Sequence, residues 1–253
     1  MKKIKTNDLI WKHILDSINY SGKDIIITAN QIKNNKKTWS GIDNQFEPRL
    51  LCKQDSSYNR PNIFINNGLF ILPIKNGEYL ITKTNLYKEL DYTKTDIINI
   101  NKKNSLILDF SSESSIISNL RYSGLFESNE YFNEEIMFSN YSVKQRCSLN
   151  TFLGDKEISI LGVQIETDAY FESKNKIIII EGKKINNLKD FGIKQLYFPF
   201  RTIYEKVKDK KEIISLFINK DKNNIIHIWK YIFIDPIVFT SIKNISYNKY
   251  KFN

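Results

Sequence analysis

The sequence predicts an α/β fold in which a mixed central sheet is flanked by helices. The first observation is the run Ile177–Ile180, four β-branched residues in succession, which is typical of a strand buried on both faces. The second is a pair of further strand-like segments, residues 212–218 and 225–234, which would complete the sheet. The third is the segment 187–207, whose apolar residues recur at helical spacings although Pro199 interrupts them.

The N-terminal part of the chain predicts two helices followed by a hairpin. Residues 7–19 carry an amphipathic helical pattern, and Thr28 is suited to cap a second helix. The apolar segments 69–73 and 78–83 are joined by an Asn-Gly turn, which favours a two-stranded hairpin. This order of elements permits a small α+β region that resembles a winged helix.

The middle of the chain contains the predicted domain boundary. Asn, Lys and Ser are frequent in residues 91–105, so we expect a smaller N-terminal region at 1–104 and a second domain at 105–253. The isoleucines at 97–100 alternatively form a short strand. Residues 115–139 are predicted to be largely helical.

Composition indicates a globular cytoplasmic protein. The chain has 253 residues, of which 41% are hydrophobic, so it can bury a substantial core. It has no apolar run of about 18 residues, and its first residues lack the pattern of a secretory signal. Cys52 and Cys147 are far apart in sequence, so we expect ordinary thiols without a disulfide or a zinc site.

The positive charge of the chain favours a polyanionic partner. The formal net charge is +10 and the isoelectric point is about 9.3, and neutralisation of phosphates by such a protein releases counterions. The abundance of Lys, Asn and Ile throughout the chain is an alternative, purely compositional explanation of the charge.

Several classes of enzyme are disfavoured by what the sequence lacks. His13 and His227 are the only histidines, and both lie in patterns typical of structural residues, which argues against a histidine general base. There is no G-x-S-x-G motif of a serine hydrolase and no G-x-x-x-x-G-K-[ST] phosphate loop of a nucleotide-driven motor.

The most informative stretch is residues 163–183, which places acidic residues at the ends of two adjoining strands. Asp168 ends the first strand, and Glu181-Gly182-Lys183 ends the second after a polar turn. Alternation puts Glu181 and Lys183 on one side, and Gly182 leaves its backbone accessible. Two carboxylates and the carbonyl of Gly182 would form an oxygen site for Mg²⁺. The ammonium of Lys183 would position an attacking water and neutralise charge on a phosphate. A solvated surface hairpin is the alternative interpretation.

The chain resembles the PD-(D/E)XK nuclease superfamily, and within it a group of type II restriction endonucleases. The D-x12-E-G-K arrangement of residues 168–183 carries the resemblance to the superfamily. The resemblance to the restriction enzymes rests on FEPRLLCKQDS (46–56), NNGLFILPIKNGEYLI (66–81), LRYSGLFE (120–127), GVQIETDAYFE (162–172), IIIIEGK (177–183) and IKQLYFPFR (193–201). One departure is that Thr167, and not proline, precedes Asp168, which leaves room for Glu166 to share the acidic role.

The resemblance implies a nuclease core with an N-terminal region that helps to recognise DNA. It implies Mg²⁺-dependent hydrolysis of double-stranded DNA at a short recognition sequence by a homodimer, with a cognate DNA methyltransferase as functional partner. Asp168 and Glu181 would hold the metal, and Gln195 would orient the site. A helix that precedes the strands would supply one further acid from Glu127, Glu130, Glu134 and Glu135.

Basic residues in several parts of the chain are candidates for contact with DNA. Three of them precede the predicted hairpin, two lie in the segment 142–146, which reads as a basic loop, and two follow the acidic strand. The predicted DNA-binding residues are Arg49, Lys53, Arg60, Lys144, Arg146, Lys184 and Arg201.

Two other functions are compatible with the same residues. A nuclease of repair, or one selective for DNA structure, would use the same acidic hairpin. A non-catalytic DNA-binding protein with a degenerate nuclease fold would retain only the basic surface. The presence of Asp168, Glu181 and Lys183 together argues against the second alternative.

Overall fold

A large mixed sheet joins the N-terminal and C-terminal parts of the chain, and a second sheet, in which residues 87–89 pair with residues 190–192, also joins them. The computed structural model of the protein describes residues 6–41, 45–101 and 109–253. Within these residues ten strands form the sheet, in the order β1-β3-β2-β7-β8-β10-β11-β12-β5, and β6 pairs with β7. The predicted α/β class is confirmed. The predicted boundary between residues 104 and 105 lies outside the described residues.

The N-terminal part contains short helices and the first strands of the sheet. Its helices are α1 (Thr6–Ser17), α2 (Ala29–Asn34), α3 (Pro48–Leu51) and α4 (Asn62–Asn66). Its strands are β1 (Ile25–Thr28), β2 (Phe70–Lys75), β3 (Glu78–Thr82) and β4 (Tyr87–Glu89). The structure confirms the predicted cap, because the Thr28 side chain accepts from the Gln31 N–H while the Gln31 side chain accepts from the Thr28 N–H. The predicted hairpin is confirmed as β2 and β3, which turn at Gly77 with a φ of +76°.

The C-terminal part contains the longest strands and two covering helices. Its strands are β5 (Ile97–Ile100), β6 (Phe138–Leu153), β7 (Lys156–Glu172), β8 (Lys176–Lys183), β9 (Asp190–Gly192), β10 (Glu212–Lys220), β11 (Ile226–Phe233) and β12 (Ile242–Phe252). Its helices are α5 (Glu113–Tyr122) and α6 (Lys194–Val207). Strands β7 and β8 form the predicted antiparallel hairpin, and β8 runs parallel to β10. Among the described helices, none is long and apolar enough to cross a membrane.

The isoleucine run in β8 is explained by two hydrophobic layers. Ile177 and Ile179 pack in the cluster that contains Leu196 of α6, whereas Ile178 and Ile180 pack in the cluster that contains Ile117 of α5. Burial of each such side chain contributes roughly 1.5–3 kcal/mol. Because both faces of the strand are apolar, a slip by one residue would still bury isoleucine side chains on both faces. The register of the strand therefore depends on the charged residues at its end.

Three predictions about secondary structure are wrong. The helix expected over 115–139 ends at Tyr122, where Gly124 adopts a φ of +83°. The residues 142–146 are not a loop but part of β6, which pairs with β7 over most of its length. The helix expected over 187–207 begins only at Lys194 and continues through Pro199.

Candidate active site

Asp168, inside β7, and Glu181, near the end of β8, lie where the pairing of these two strands ends. The prediction that Asp168 ends its strand is also wrong, because β7 continues to Glu172. Ala169 pairs with Ile180, so Asp168 and Glu181 are the next residues on the two strands. The Gly182 N–H donates to Asp168 Oδ2 at 2.7 Å. Glu181 Oε1 accepts from Lys183 Nζ at 2.6 Å and from Gln195 Nε2 at 2.7 Å. The structure therefore places four of the residues predicted for the site, with the Gly182 backbone, in one connected group, which we call the candidate centre.

Gly182 allows α5 to pack against the candidate centre. A Cβ atom at this position would lie 3.2 Å from Ile117 Cδ1 and 3.5 Å from both Asp168 Oδ2 and Glu113 Cβ. The N–H and C=O of one strand residue point to the same side, so the carbonyl of Gly182 shares the side on which Asp168 lies. A side chain at position 182 would push α5 away from the strand.

Burial and opposite charges control the ionisation of Glu181 and Lys183. The pKa of the Glu181 carboxyl is raised to about 7. Burial is the largest cause, the Lys183 ammonium acts in the opposite direction, and the neighbouring Asp168 charge adds to the increase. Burial lowers the pKa of the Lys183 ammonium, but Glu181 and Glu113 outweigh this effect and raise the pKa above its ordinary value. Lys183 is therefore a cation, and a second positive charge would favour the ionised form of Glu181.

Glu113, which the sequence did not single out, is the helical acid at the candidate centre. It is the first residue of α5, close to Gly182 and to the charge of Lys183. Three of the four acids that the resemblance suggested have other partners. Glu127 pairs with Arg121, Glu130 accepts from Ser246, and Glu134 accepts from Asn175.

A divalent cation fits the chemistry of this donor set. Asp168, Glu181 and Glu113 surround a single ammonium, so negative charge is in excess. In the part of the chain that the structure describes, no group of three or more His, Cys, Asp or Glu side chains is arranged to hold a metal by itself. Mg²⁺ commonly takes only one or two carboxylates and completes its shell with water and substrate phosphate. Asp168 and Glu181, with the Gly182 carbonyl, are the residues that would hold it.

Hydrogen bonds and an ion pair hold the N-terminal part of the chain next to the segment that leads to Gln195. The Gly192 N–H donates to the Asp55 carbonyl at 2.7 Å, and the Ser57 N–H donates to Asp190 Oδ1 at 2.7 Å. Lys194 Nζ lies 3.6 Å from Asp55 Oδ1. These contacts fix the chain immediately before Gln195, and the Asp55 charge also contributes to the raised pKa of Glu181, after burial and Asp168.

Glu166 lies on the same strand as Asp168 but has different partners. Glu166 Oε1 lies 4.0 Å from Arg49 Nη2 and 3.5 Å from Lys144 Nζ, and its side chain is half exposed. The structure thus joins Glu166 to two predicted DNA-binding residues instead of to the candidate centre. Arg49, from the N-terminal part, and Lys144, from β6, form an exposed basic pair around one carboxylate oxygen.

The remaining basic candidates divide into exposed and buried side chains. Lys53, Arg146 and Lys184 are exposed, and Lys184 Nζ donates to the Ser111 carbonyl at 3.0 Å. Arg60 is buried, where it donates to the carbonyls of Leu69 and Phe64. Arg201 is also buried and pairs with Glu205 at 2.7 Å. The prediction that these two arginines contact DNA is not supported by the structure, because their side chains are buried in the protein.

The histidines and cysteines lie outside the candidate centre. His13 contacts the Asn35 carbonyl and the Thr38 hydroxyl, and His227 lies between Tyr247 and Asp221. Burial lowers the pKa of His227, so it is a neutral structural residue near pH 7. Cys52 and Cys147 are both buried, and each is a free thiol.

Comparison with known proteins finds two family models that match different parts of this chain. The model of a domain of unknown function, DUF6997, matches residues 82–251, and that of another, DUF6996, matches residues 7–81. No curated protein and no solved structure matches the chain. The two matched regions meet at the end of β3, within the sheet that joins them.

Proposed function

The chain belongs to the DUF6997 family, and for this member we propose the activity of a Mg²⁺-dependent type II restriction endonuclease. The proposed reaction is hydrolysis of phosphodiester bonds in both strands of duplex DNA at a short recognition sequence. One observation carries the proposal. Asp168, Glu181, Lys183 and Gln195 lie in one hydrogen-bonded group where the pairing of β7 with β8 ends, and Glu113 flanks it.

Each residue of the candidate centre has a distinct proposed role. Asp168 and Glu181 bind the cation, which would polarise the scissile phosphate and lower the pKa of a bound water. Lys183 is an ammonium, so it orients the attacking water and offsets the charge that develops on the phosphate. Gln195 holds the Glu181 carboxylate through its Nε2 atom. Its Oε1 atom is buried and has no partner among the described residues, so it is free to accept from a water.

The exposed basic residues supply the proposed DNA contacts. Arg49 and Lys144 both approach Glu166, which lies two residues before Asp168 on β7, a separation of about 6.7 Å along a strand. A phosphate that replaced the Glu166 carboxylate between them would therefore lie close to the scissile phosphate. The net charge of +10 supports binding of the same polyanion.

Cleavage of a palindromic site in both strands calls for two centres related by two-fold symmetry, so we propose a homodimer on DNA. A DNA methyltransferase that modifies the same sequence would be its functional partner.

The proposal is tested by incubating the purified protein with unmethylated phage DNA and Mg²⁺. Lys183→Ala is compared with Lys189→Ala, an exposed lysine on the connection before β9, and a chelator is added to a parallel sample. Discrete bands that require Mg²⁺ and Lys183, but not Lys189, are the expected result. A smear would indicate a nonspecific or repair nuclease. Intact DNA of every form, with salt-sensitive binding retained, would replace the proposal with a non-catalytic DNA-binding protein.

A further inference from the structure

A cavity of about 170 Å³ lies on the α5 side of the sheet, apart from the candidate centre. Its lining consists of three apolar side chains, one lysine and one asparagine. The lining residues are Phe110, Ile226, Phe252, Lys220 and Asn224. Neither the proposed reaction nor the proposed DNA contacts use any of them.

Lys220 provides the cavity with a hydrogen-bond donor that lacks an acidic partner. Lys220 is only 8% exposed, and its Nζ atom donates to Asn224 Oδ1 at 2.6 Å. None of the ion pairs among the described residues includes Lys220, although buried charges are generally paired. An ammonium has three N–H donors, so two remain for an acceptor in the cavity. The ligand should therefore carry an oxygen or nitrogen acceptor.

The opposite wall of the cavity suits a flat apolar ring. The rings of Phe110 and Phe252 lie with their centroids 5.0 Å apart, and Ile226 is almost fully buried. A cavity of about 150 Å³ lined by Leu, Ile and Phe holds a benzene molecule. The present cavity has a similar volume, and three of its five described lining residues are apolar. It therefore has room for one six-membered ring with a carbonyl group, and too little room for a base pair.

Two segments of the chain connect the cavity to the candidate centre. Lys220 follows Asn219, which pairs in register with Lys183 on the neighbouring strand. Phe110 lies three residues before Glu113, which flanks the centre. Strand alternation places Lys220 on the same face as Ile218, the face that α5 covers, and Lys183 on the opposite one. The cavity and the Lys183 side chain of the candidate centre therefore lie on opposite faces of the sheet, next to the same ends of β8 and β10.

We infer that this cavity binds the base of an unpaired pyrimidine nucleotide, with Lys220 donating to a ring carbonyl oxygen and Phe110 and Phe252 contacting the ring. The inference rests on the proposed action on DNA and adds to it a site that reads a base outside the double helix. An extruded base leaves its stack at an energetic cost, which such a pocket offsets by hydrogen bonding and ring contact.

The direct test uses thymidine as the probe and needs no DNA. Thymidine is titrated into the full-length protein without metal, and amide NMR signals of residues 220–226 are followed, with deoxyribose as a control that lacks the ring. We expect saturable shifts with thymidine alone. Lys220→Met should weaken the affinity by about tenfold or more, since it removes a charged hydrogen bond. Thymidine that shifts none of these signals, or that binds Lys220→Met equally well, would overturn the inference.

A second variant keeps the test decisive if Lys220→Met does not fold. Asn224 is exposed and has a φ of +61°, which glycine adopts readily, so Asn224→Gly should fold. Without the amide that holds the Lys220 ammonium, thymidine should bind more weakly. Unchanged affinity in this variant and in every folded Lys220 variant would overturn the inference.

A DNA experiment separates this inference from the proposed function. A duplex with one unpaired thymine and a fully paired duplex of the same length are compared for binding in the presence of a chelator. We expect tighter binding of the first by the natural protein and loss of the preference in Lys220→Met or Asn224→Gly. Equal binding of both duplexes by the natural protein would overturn the inference. Cleavage of phage DNA is scored separately, so thymidine binding without cleavage would reject only the proposed endonuclease.

Discussion

Gln195 Nε2 donates a hydrogen bond of 2.7 Å to the same Glu181 oxygen that accepts from Lys183. The first turn of α6 thereby fixes the rotamer of a buried carboxylate on β8. A carboxylate whose orientation is held by a neighbouring amide binds a cation with less loss of side-chain freedom. Gln195 is therefore a positioning residue for the proposed metal site.

Replacement of Gln195 by Ala should lower the turnover number of DNA cleavage by about 10- to 100-fold and raise the Mg²⁺ concentration that gives half-maximal rate. The KM for DNA should change little, because Gln195 acts through Glu181. Cleavage rates measured across a Mg²⁺ titration check this. Gln164→Ala, an exposed glutamine on β7, is the matched control. A Gln195→Ala protein with an unchanged Mg²⁺ requirement would refute the positioning role.

Asp168→Asn and Glu166→Gln should differ sharply although the two residues lie two positions apart on β7. Asp168→Asn removes a proposed metal ligand, so cleavage should fall by at least about 100-fold and calorimetry should detect weaker Mn²⁺ binding. Glu166→Gln should keep cleavage and bind DNA more tightly, since it releases Arg49 and Lys144. Equal loss of activity in both variants would place Glu166 in the metal site.

Glu181 should make the fold less stable as the pH rises. Its folded-state pKa of about 7 lies above the ordinary 4.5, so its stabilising contribution is complete below pH 4.5 and is lost as the pH rises through 7. The loss corresponds to about 3 kcal/mol at pH 8. Urea unfolding at pH 5 and pH 8, with a chelator present, should show that Glu181→Gln gains stability relative to the natural protein only at pH 8. The exposed Glu157→Gln is the control. A gain that is equal at both pH values would contradict this assignment.

Arg49→Gln and Lys144→Gln should weaken binding to DNA of any sequence and reduce the salt dependence of binding. Each phosphate contact contributes about 0.9 to the slope of log K against log salt, so each variant should lower the slope by about that amount. Fluorescence anisotropy with a labelled duplex over a range of KCl concentrations measures it. Lys189→Gln should behave like the natural protein. Unchanged slopes would indicate that DNA contacts a different surface of the protein.

Arg60 should contribute to stability instead of DNA binding. Its guanidinium donates to the Leu69 and Phe64 carbonyls and lies 3.8 Å from the centre of the Phe70 ring. Arg60→Met removes the arginine donor from the Leu69 carbonyl, whereas the Phe64 carbonyl still accepts from the Leu69 N–H. The free energy of unfolding should therefore fall by about 1–3 kcal/mol. Urea unfolding tests this, and DNA affinity per folded molecule should be unchanged. An Arg60→Met protein of normal stability and weaker DNA binding would reverse the assignment.

The parts of the fold that were predicted correctly depend on neighbouring residues in the sequence. The cap at Thr28, the β2–β3 hairpin and the strand that ends at Lys183 are all specified within about ten residues. β12 was not predicted, because its apolar residues are separated by Lys and Asn at irregular intervals and it pairs along β11.

The candidate site divides in the same way. Asp168, Glu181 and Lys183 lie on one hairpin, so a local pattern predicted them. Glu113 is brought to the centre only by the packing of α5 on Gly182, which no local pattern reveals. The burial of Arg60 and Arg201 likewise depends on side chains that are distant in the sequence. It was not predicted, because charged residues are usually exposed.

The hydrogen bonds that join residues 55–57 to residues 190–192 restrict how relatives of this protein can evolve. Exchange of the N-terminal region between relatives would be a direct way to acquire a new target sequence. Here such an exchange also replaces Ser57, which contacts the Asp190 carboxylate, and Asp55, whose carboxylate lies beside Lys194. A recombinant that keeps the old Asp190 and Gly192 beside foreign partners would misplace the amide that orients Glu181. Inherited changes of specificity in this lineage should therefore preserve these few residues or alter both segments together.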